Sequence, residues 1–111
     1  MSVSVKPLIL SKYASNVDTA EYTTPSSTNT IIDKFIARNN TGGAVTLTIY
    51  LVPNGGSSGN DNLYYSTSIA ANTTVDLTEI KGNILATGGA IRVLAGAASS
   101  ITIRASGREV T

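Results

Sequence analysis

Residues 45–51 alternate without interruption. Val45, Leu47, Ile49 and Leu51 are apolar, and Thr46, Thr48 and Tyr50 between them are polar or amphipathic. A period of two puts successive side chains on opposite faces of an extended strand and cannot form one face of a helix. The residue types are β-branched and aromatic, which suit a pleated, half-buried surface. Just upstream, Asn39, Asn40, Thr41, Gly42 and Gly43 supply turn chemistry, because Asn and Gly tolerate positive φ. Before that turn, residues 30–38 (TIIDKFIAR) form a second strand. The two strands read as a long β-hairpin on which the rest of the chain packs. Two phases compete for the first of them: Ile31, Phe35 and Ala37 inward with Asp33, or Ile32 and Ile36 inward with Lys34. The large apolar area of Phe35 favours the first.

The same reading extends along the chain. Residues 6–13 (KPLILSKY) form a strand in which Pro7 is tolerated at the beginning or on an edge. Residues 14–20 are turn-like, and 21–24 form a short extended piece stopped by Pro25. After Pro53, residues 54–61 (NGGSSGND) make an exposed, flexible loop. Strands follow at 63–69 and 73–77, with a turn at Ala71 and Asn72. Residues 78–89 read as an irregular connection with one turn of helix, because Gly82 interrupts the helical spacing of Ile80, Ile84 and Leu85. Residues 90–95 and 101–106 are the last clear strands, and 108–111 continue the second. About eight short strands with turn signals every 8–12 residues predict one all-β domain over 1–111, a jelly-roll-like antiparallel sandwich with fewer than about ten helical residues. Its inward set is Val45, Leu47, Ile49, Leu51, Ile91, Val93, Ile101 and Ile103.

Composition narrows the function. Charged residues are 14% of 111, the net charge is +1, and Cys and His are absent. The chain therefore has no disulfide, no thiol nucleophile and no histidine for general-base or metal chemistry. The four Lys and four Arg are scattered rather than gathered into the basic stripe of a nucleic-acid binder. The N-terminus lacks the pattern of a signal peptide, and no apolar run approaches the ~18 residues of a membrane span. A protein made in a cytoplasm, with no nucleic-acid or membrane partner, is expected. A net charge near zero favours association with other protein.

No motif marks an active site. The loop at 54–61 lacks the Lys-Ser/Thr ending of a phosphate-binding loop and leads into a strand. Asn60, Asp61 and Asn62 offer one carboxylate where calcium needs several. Asn39 and Asn72 begin glycosylation sequons that read as turns. The seven carboxylates form no paired acid and base, so no enzyme activity, cofactor or metal is expected. Asn54, Gly55, Gly56, Ser57 and Ser58 are candidate contact residues, because binding groups often sit on such loops. Arg92 and Arg104 are the other candidates. If residues 90–95 and 101–106 form a hairpin closed by 96–100, the two arginines lie directly opposite and repel unless carboxylates from a neighbouring subunit or a partner protein cover them. The alternative is a solvated face with the side chains splayed apart.

The runs IIDKFIARNNTGGAVTLTIYLVPNGGSSGNDN and SIAANTTVDLTEIKGNILATGGAIRVLAGAASSITIRASGREVT resemble small structural proteins of tailed bacteriophages and prophages. The matching pattern runs from NNTGG to LVPNGG, through SIAANTT, LTEIKGNIL and GGAI, to ITIRASGREVT, over residues 30–111. The resemblance implies a β-sandwich of the capsid decoration, or cement, type. Such a protein sits on the outside of a virion capsid, bridges subunits of the major capsid protein and forms a homotrimer. A neck, tail or fibre-base component carries the same kind of sequence. A carbohydrate-binding sandwich is the reading from another class. It fits poorly, since Trp is absent and Tyr64 and Tyr65 face opposite ways in a strand.

Overall fold

In a computed structural model that describes residues 2–111, the chain forms nine strands in two antiparallel sheets and, among the described residues, no helix. The strands are β1 (Val3–Tyr13), β2 (Thr19–Thr23), β3 (Asn29–Asn39), β4 (Val45–Val52), β5 (Leu63–Ile69), β6 (Thr74–Asp76), β7 (Ile84–Leu85), β8 (Ala90–Ala95) and β9 (Ile101–Val110). The first sheet runs β1-β9-β3-β6, with β7 also paired to β3; the second runs β2-β8-β4-β5. Most consecutive strands therefore lie in different sheets. That alternation is the path of a jelly roll, two packed sheets built from Greek-key connections.

This topology corrects both hairpins expected from the sequence. β3 pairs with β9, while β4 pairs with β8 and β5. The segments after β3 and after β8 are crossovers between sheets. They lie side by side: Asn40 N–H donates to the Ser100 carbonyl at 2.9 Å, and Gly96 N–H to Thr46 at 2.8 Å. The physical reason is plain. A period of two reports which side chains face the core, and it is the same whether a strand's partner lies beside it or across the sandwich. Asn39, fully buried, holds the first crossover. Its amide donates to the carbonyls of Gly43 and Ile69, and its oxygen accepts from the Thr41 N–H and hydroxyl.

The core matches the expectation closely. Leu47, Ile49, Leu51, Ile91, Val93, Ile101 and Ile103 are buried, and Val45 packs against them from the margin. Strand β3 obeys neither proposed phase. Ile32 is inward, and so are Phe35 and Ala37, because a bulge between Ile32 and Lys34 inserts Asp33 as an extra residue and flips the alternation. Strand β1 has two such irregularities after Pro7, which is why consecutive Leu8 and Ile9 are both buried. Pro7 falls inside β1 rather than at its start, as an edge strand permits. Between them sits Gly107 of β9. A Cβ there would overlap the Ile31 carbonyl oxygen and approach Leu8 Cδ1 to 2.9 Å, so the close passage of β3 requires glycine. The connection at 78–89 holds successive turns and β7 instead of a helical turn, with Leu77 and Ile80 as its fully buried anchors.

Where edge strands β1 and β2 face each other, polar groups close the gap between sheets. A bulge at Glu21 turns both Glu21 and Tyr22 inward. Lys12 Nζ meets Glu21 at 2.7 Å, and the Glu21 side chain is 3% exposed. Tyr22 donates to Glu109, accepts from Thr30 and is the centre of a small network that Lys6 completes at 3.3 Å from Glu109. Burial, then the bond to Glu109, pushes the Tyr22 hydroxyl up to about 12.

Candidate functional site

The nominated residues fall into three separate places. Arg92, on the outward side of β8, lies beside Tyr50 of β4 and Ala20 of β2. Its guanidinium donates to the Asp18 carboxylate at 3.0 Å and to the Asp18 carbonyl at 3.3 Å. The acidic cover for Arg92 thus comes from its own chain. Arg104, on β9 in the other sheet, stands opposite Ile36 rather than opposite Arg92. The expected repulsion between these arginines does not arise, because their strands are not neighbours.

The loop at 54–58 is exposed through Ser57 and is organised by its own backbone. Gly56 N–H donates to Pro53 at 2.9 Å, Gly55 takes φ +80°, and the Asn62 amide donates to Ser57 at 2.7 Å. Asn54 packs against Gly88, where a Cβ would come within 2.5 Å of its amide carbon. With Leu51, Asp61, Tyr64 and Ile84, Asn54 borders an open groove of about 540 Å³. Ser57 and Ser58 stay outside this groove, and neither arginine reaches it. Among the described residues no group of three or more His, Cys, Asp or Glu side chains is placed to hold a metal ion.

The outer face of the first sheet gathers more chemistry than either. On β9, Ile101, Ile103, Ala105 and Gly107 are buried, so Thr102, Arg104, Ser106 and Arg108 point outward. On β3, past the bulge, Lys34, Ile36 and Arg38 do the same. The register places Lys34 beside Ser106, Ile36 beside Arg104 and Arg38 beside Thr102, so Arg104 sits diagonally between Lys34 and Arg38. Four cations share this face with two carboxylates. Arg108 makes a forked pair with Asp33 at 2.9 and 3.0 Å; these bonds, and then the opposite charge, raise the arginine pKa further. Lys34 lies a loose 3.7 Å from Asp76. Arg38 donates to neutral partners, Asn40 at 3.0 Å and Thr74 at 3.1 Å. Arg104 is exposed and has no ion pair among the described residues. Alongside runs β1, with Val3 53%, Val5 80%, Leu10 69% and Tyr13 53% exposed. An unneutralised basic centre with an apolar margin is suited to holding a protein surface that presents carboxylates.

Lys34 and Arg38 were missed by sequence reasoning. They become neighbours of Arg104 only through the β3–β9 pairing, and the expected hairpins hid that pairing.

The strand order of the two sheets is that of a jelly-roll sandwich, and solved structures with a similar chain path are found. A protein of Bacillus endospore appendages, a family described as disulfide-linked pili, matches over 99% of this chain and 88% of its own, with a TM-score of 0.56 at 15% identity. A chain of infectious bursal disease virus, Gx strain, matches with a TM-score of 0.43 at 14% identity, and a subviral particle of its VP2 protein with 0.41 at 14%. This chain spans 32% of the length of each of those two. No protein-family model and no curated protein sequence matches the chain.

Proposed function

We propose that this chain is a non-enzymatic structural subunit of a larger protein assembly. Within that class we read it as a capsid decoration protein of a tailed-bacteriophage virion, seated as a symmetric homo-oligomer on the outer surface of the major capsid protein. The observation that carries this reading is the outer face of the first sheet. Among the described residues Arg104 and Arg38 have no carboxylate partners there, and the exposed β1 side chains border them. Such a face binds modestly per copy, and many copies on a repeating shell raise the apparent affinity. The sequence resemblance over residues 30–111 supports the finer assignment.

A second reading, a filament subunit, has the shared fold with the endospore-appendage protein in its favour. Any linkage between copies of this chain is free of disulfides, since it has no cysteine. An electron-microscopy map of the intact virion tests the leading reading. It predicts sandwich density on the outer capsid surface with the first sheet toward the shell. Density confined to the neck, tail or fibre base, or to a filament, would overturn it.

A further inference from the structure

The described residues form four sheet edges, and they are not equally protected. Unpaired edge strands offer a row of N–H and C=O groups to another chain unless charge, proline, bulges or brevity prevent it. Edge β1 carries Lys6, Pro7 and Lys12 and is irregular twice. Edge β2 is five residues long and bulged at Glu21. The edge beside β3 is divided between three-residue β6 and two-residue β7. Edge β5 differs from all of them. Its seven residues, LYYSTSI, contain no charge, proline or glycine, and beyond an irregularity at Tyr64 it pairs evenly with β4 over residues 65–69.

We infer that β5 is a self-pairing edge, joining two copies of this chain antiparallel across a twofold axis at Thr67. Such a symmetry sets residues equally distant from the axis on its two sides against each other, so a strand with like charges on both sides of the axis repels itself there. Strand β5 has no such charge, whereas the lysines of β1 would face each other. Pairing about Thr67 puts Tyr65 beside Ile69 of the second copy and Ser66 beside Ser68. Facing is conserved: Tyr65, Thr67 and Ile69 point to the core, and Ser66 and Ser68 point outward and are exposed. Tyr65 and Thr67 face inward yet remain only half-buried, because β5 is the edge of its sheet. The second copy covers them and continues the sheet from four strands to eight. The basic outer faces of the first sheets are turned away from this contact. The inference does not depend on the capsid reading.

The test uses the full chain and two charge pairs, Ser66→Lys with Ser68→Lys and Ser66→Glu with Ser68→Glu. Sedimentation equilibrium of the unaltered protein should give the mass of two copies. Each doubly substituted protein alone should pair at least tenfold more weakly, since like charges meet across the axis. An equimolar mixture of the two should return to the two-copy mass. Thermal melting checks that each still folds. If a double variant does not, the single changes Ser68→Lys and Ser68→Glu give the same comparison. Each introduced charge then faces Ser66 of the second copy, so the like pairs are weakened less. A single-copy mass for the unaltered protein would overturn the inference. So would a three-copy mass that the substitutions leave unchanged, or a mixture that stays monomeric.

Discussion

The two sheets share one core and differ on their outer faces. The first presents Lys34, Arg38, Arg104 and Arg108 against Asp33 and Asp76, with the exposed apolar side chains of β1 at its margin. The second presents Thr46, Thr48, Ser66 and Ser68, with Thr48 and Ser66 hydrogen-bonded to each other, and its arginine, Arg92, is already matched by Asp18. Inner faces are set by burial and must resemble each other. Outer faces are free to differ, so the difference between them is where a role beyond folding is written. One face is unsatisfied in charge and suited to an acidic surface; the other is neutral and ends in an edge that tolerates its own copy.

The largest effects test the shared half of that comparison. Phe35 in the first sheet and Leu47 in the second are both fully buried. Phe35→Ala should cost about 3–5 kcal/mol and Leu47→Ala about 2–5 kcal/mol, each seen as one cooperative transition in denaturant. Two separate transitions would mean that the sheets are not one core. Next, Gly107→Ala should destabilise by about 1–3 kcal/mol, because β3 must move away from the new methyl group. An unchanged midpoint would show that β9 has slack beside Ile31.

A smaller effect lies at the join between the sheets. The Tyr22 hydroxyl, ordinarily near 10, is pushed up to about 12 in the folded chain. The folded state therefore holds that proton more tightly than the unfolded state does. The resulting stabilisation is fully present below pH 10 and is lost as pH rises from 10 through about 12. Melting temperature should fall over that window, and Tyr22→Phe should fall less steeply. Parallel curves would remove Tyr22 from the account of alkaline stability.

How much of this was legible beforehand follows from what periodicity encodes. The buried face of β4, β8 and β9 could be read residue by residue, because apolar side chains recur at every second position. The phase of β3 could not, because the bulge at Asp33 leaves no mark in the pattern: Ile31, Ile32, Phe35 and Ile36 are apolar on both sides of it. Partner strands were misjudged for a related reason. Sequence proximity suggested β3–β4 and β8–β9 hairpins, whereas short crossovers carry each neighbour to the opposite sheet. The same error paired Arg92 with Arg104 and concealed the cluster of Arg104 with Lys34 and Arg38. The loop at 54–58 was placed correctly as a connection, and its packing on Gly88 depends on a contact 34 residues away in the chain.

We place the proposed docking surface on the outer face of the first sheet and not on that of the second. Reversing Arg38 and Arg104 together to Glu should leave the melting temperature nearly unchanged, since both side chains are exposed. Thr46→Glu places a new negative charge on the other face as a control. The measurement is the occupancy of each variant on purified virions. The Arg38→Glu, Arg104→Glu protein should be folded but largely absent from the particles, while Thr46→Glu should bind as the unaltered chain does. Full occupancy by the double variant, or loss of binding by Thr46→Glu alone, would contradict it.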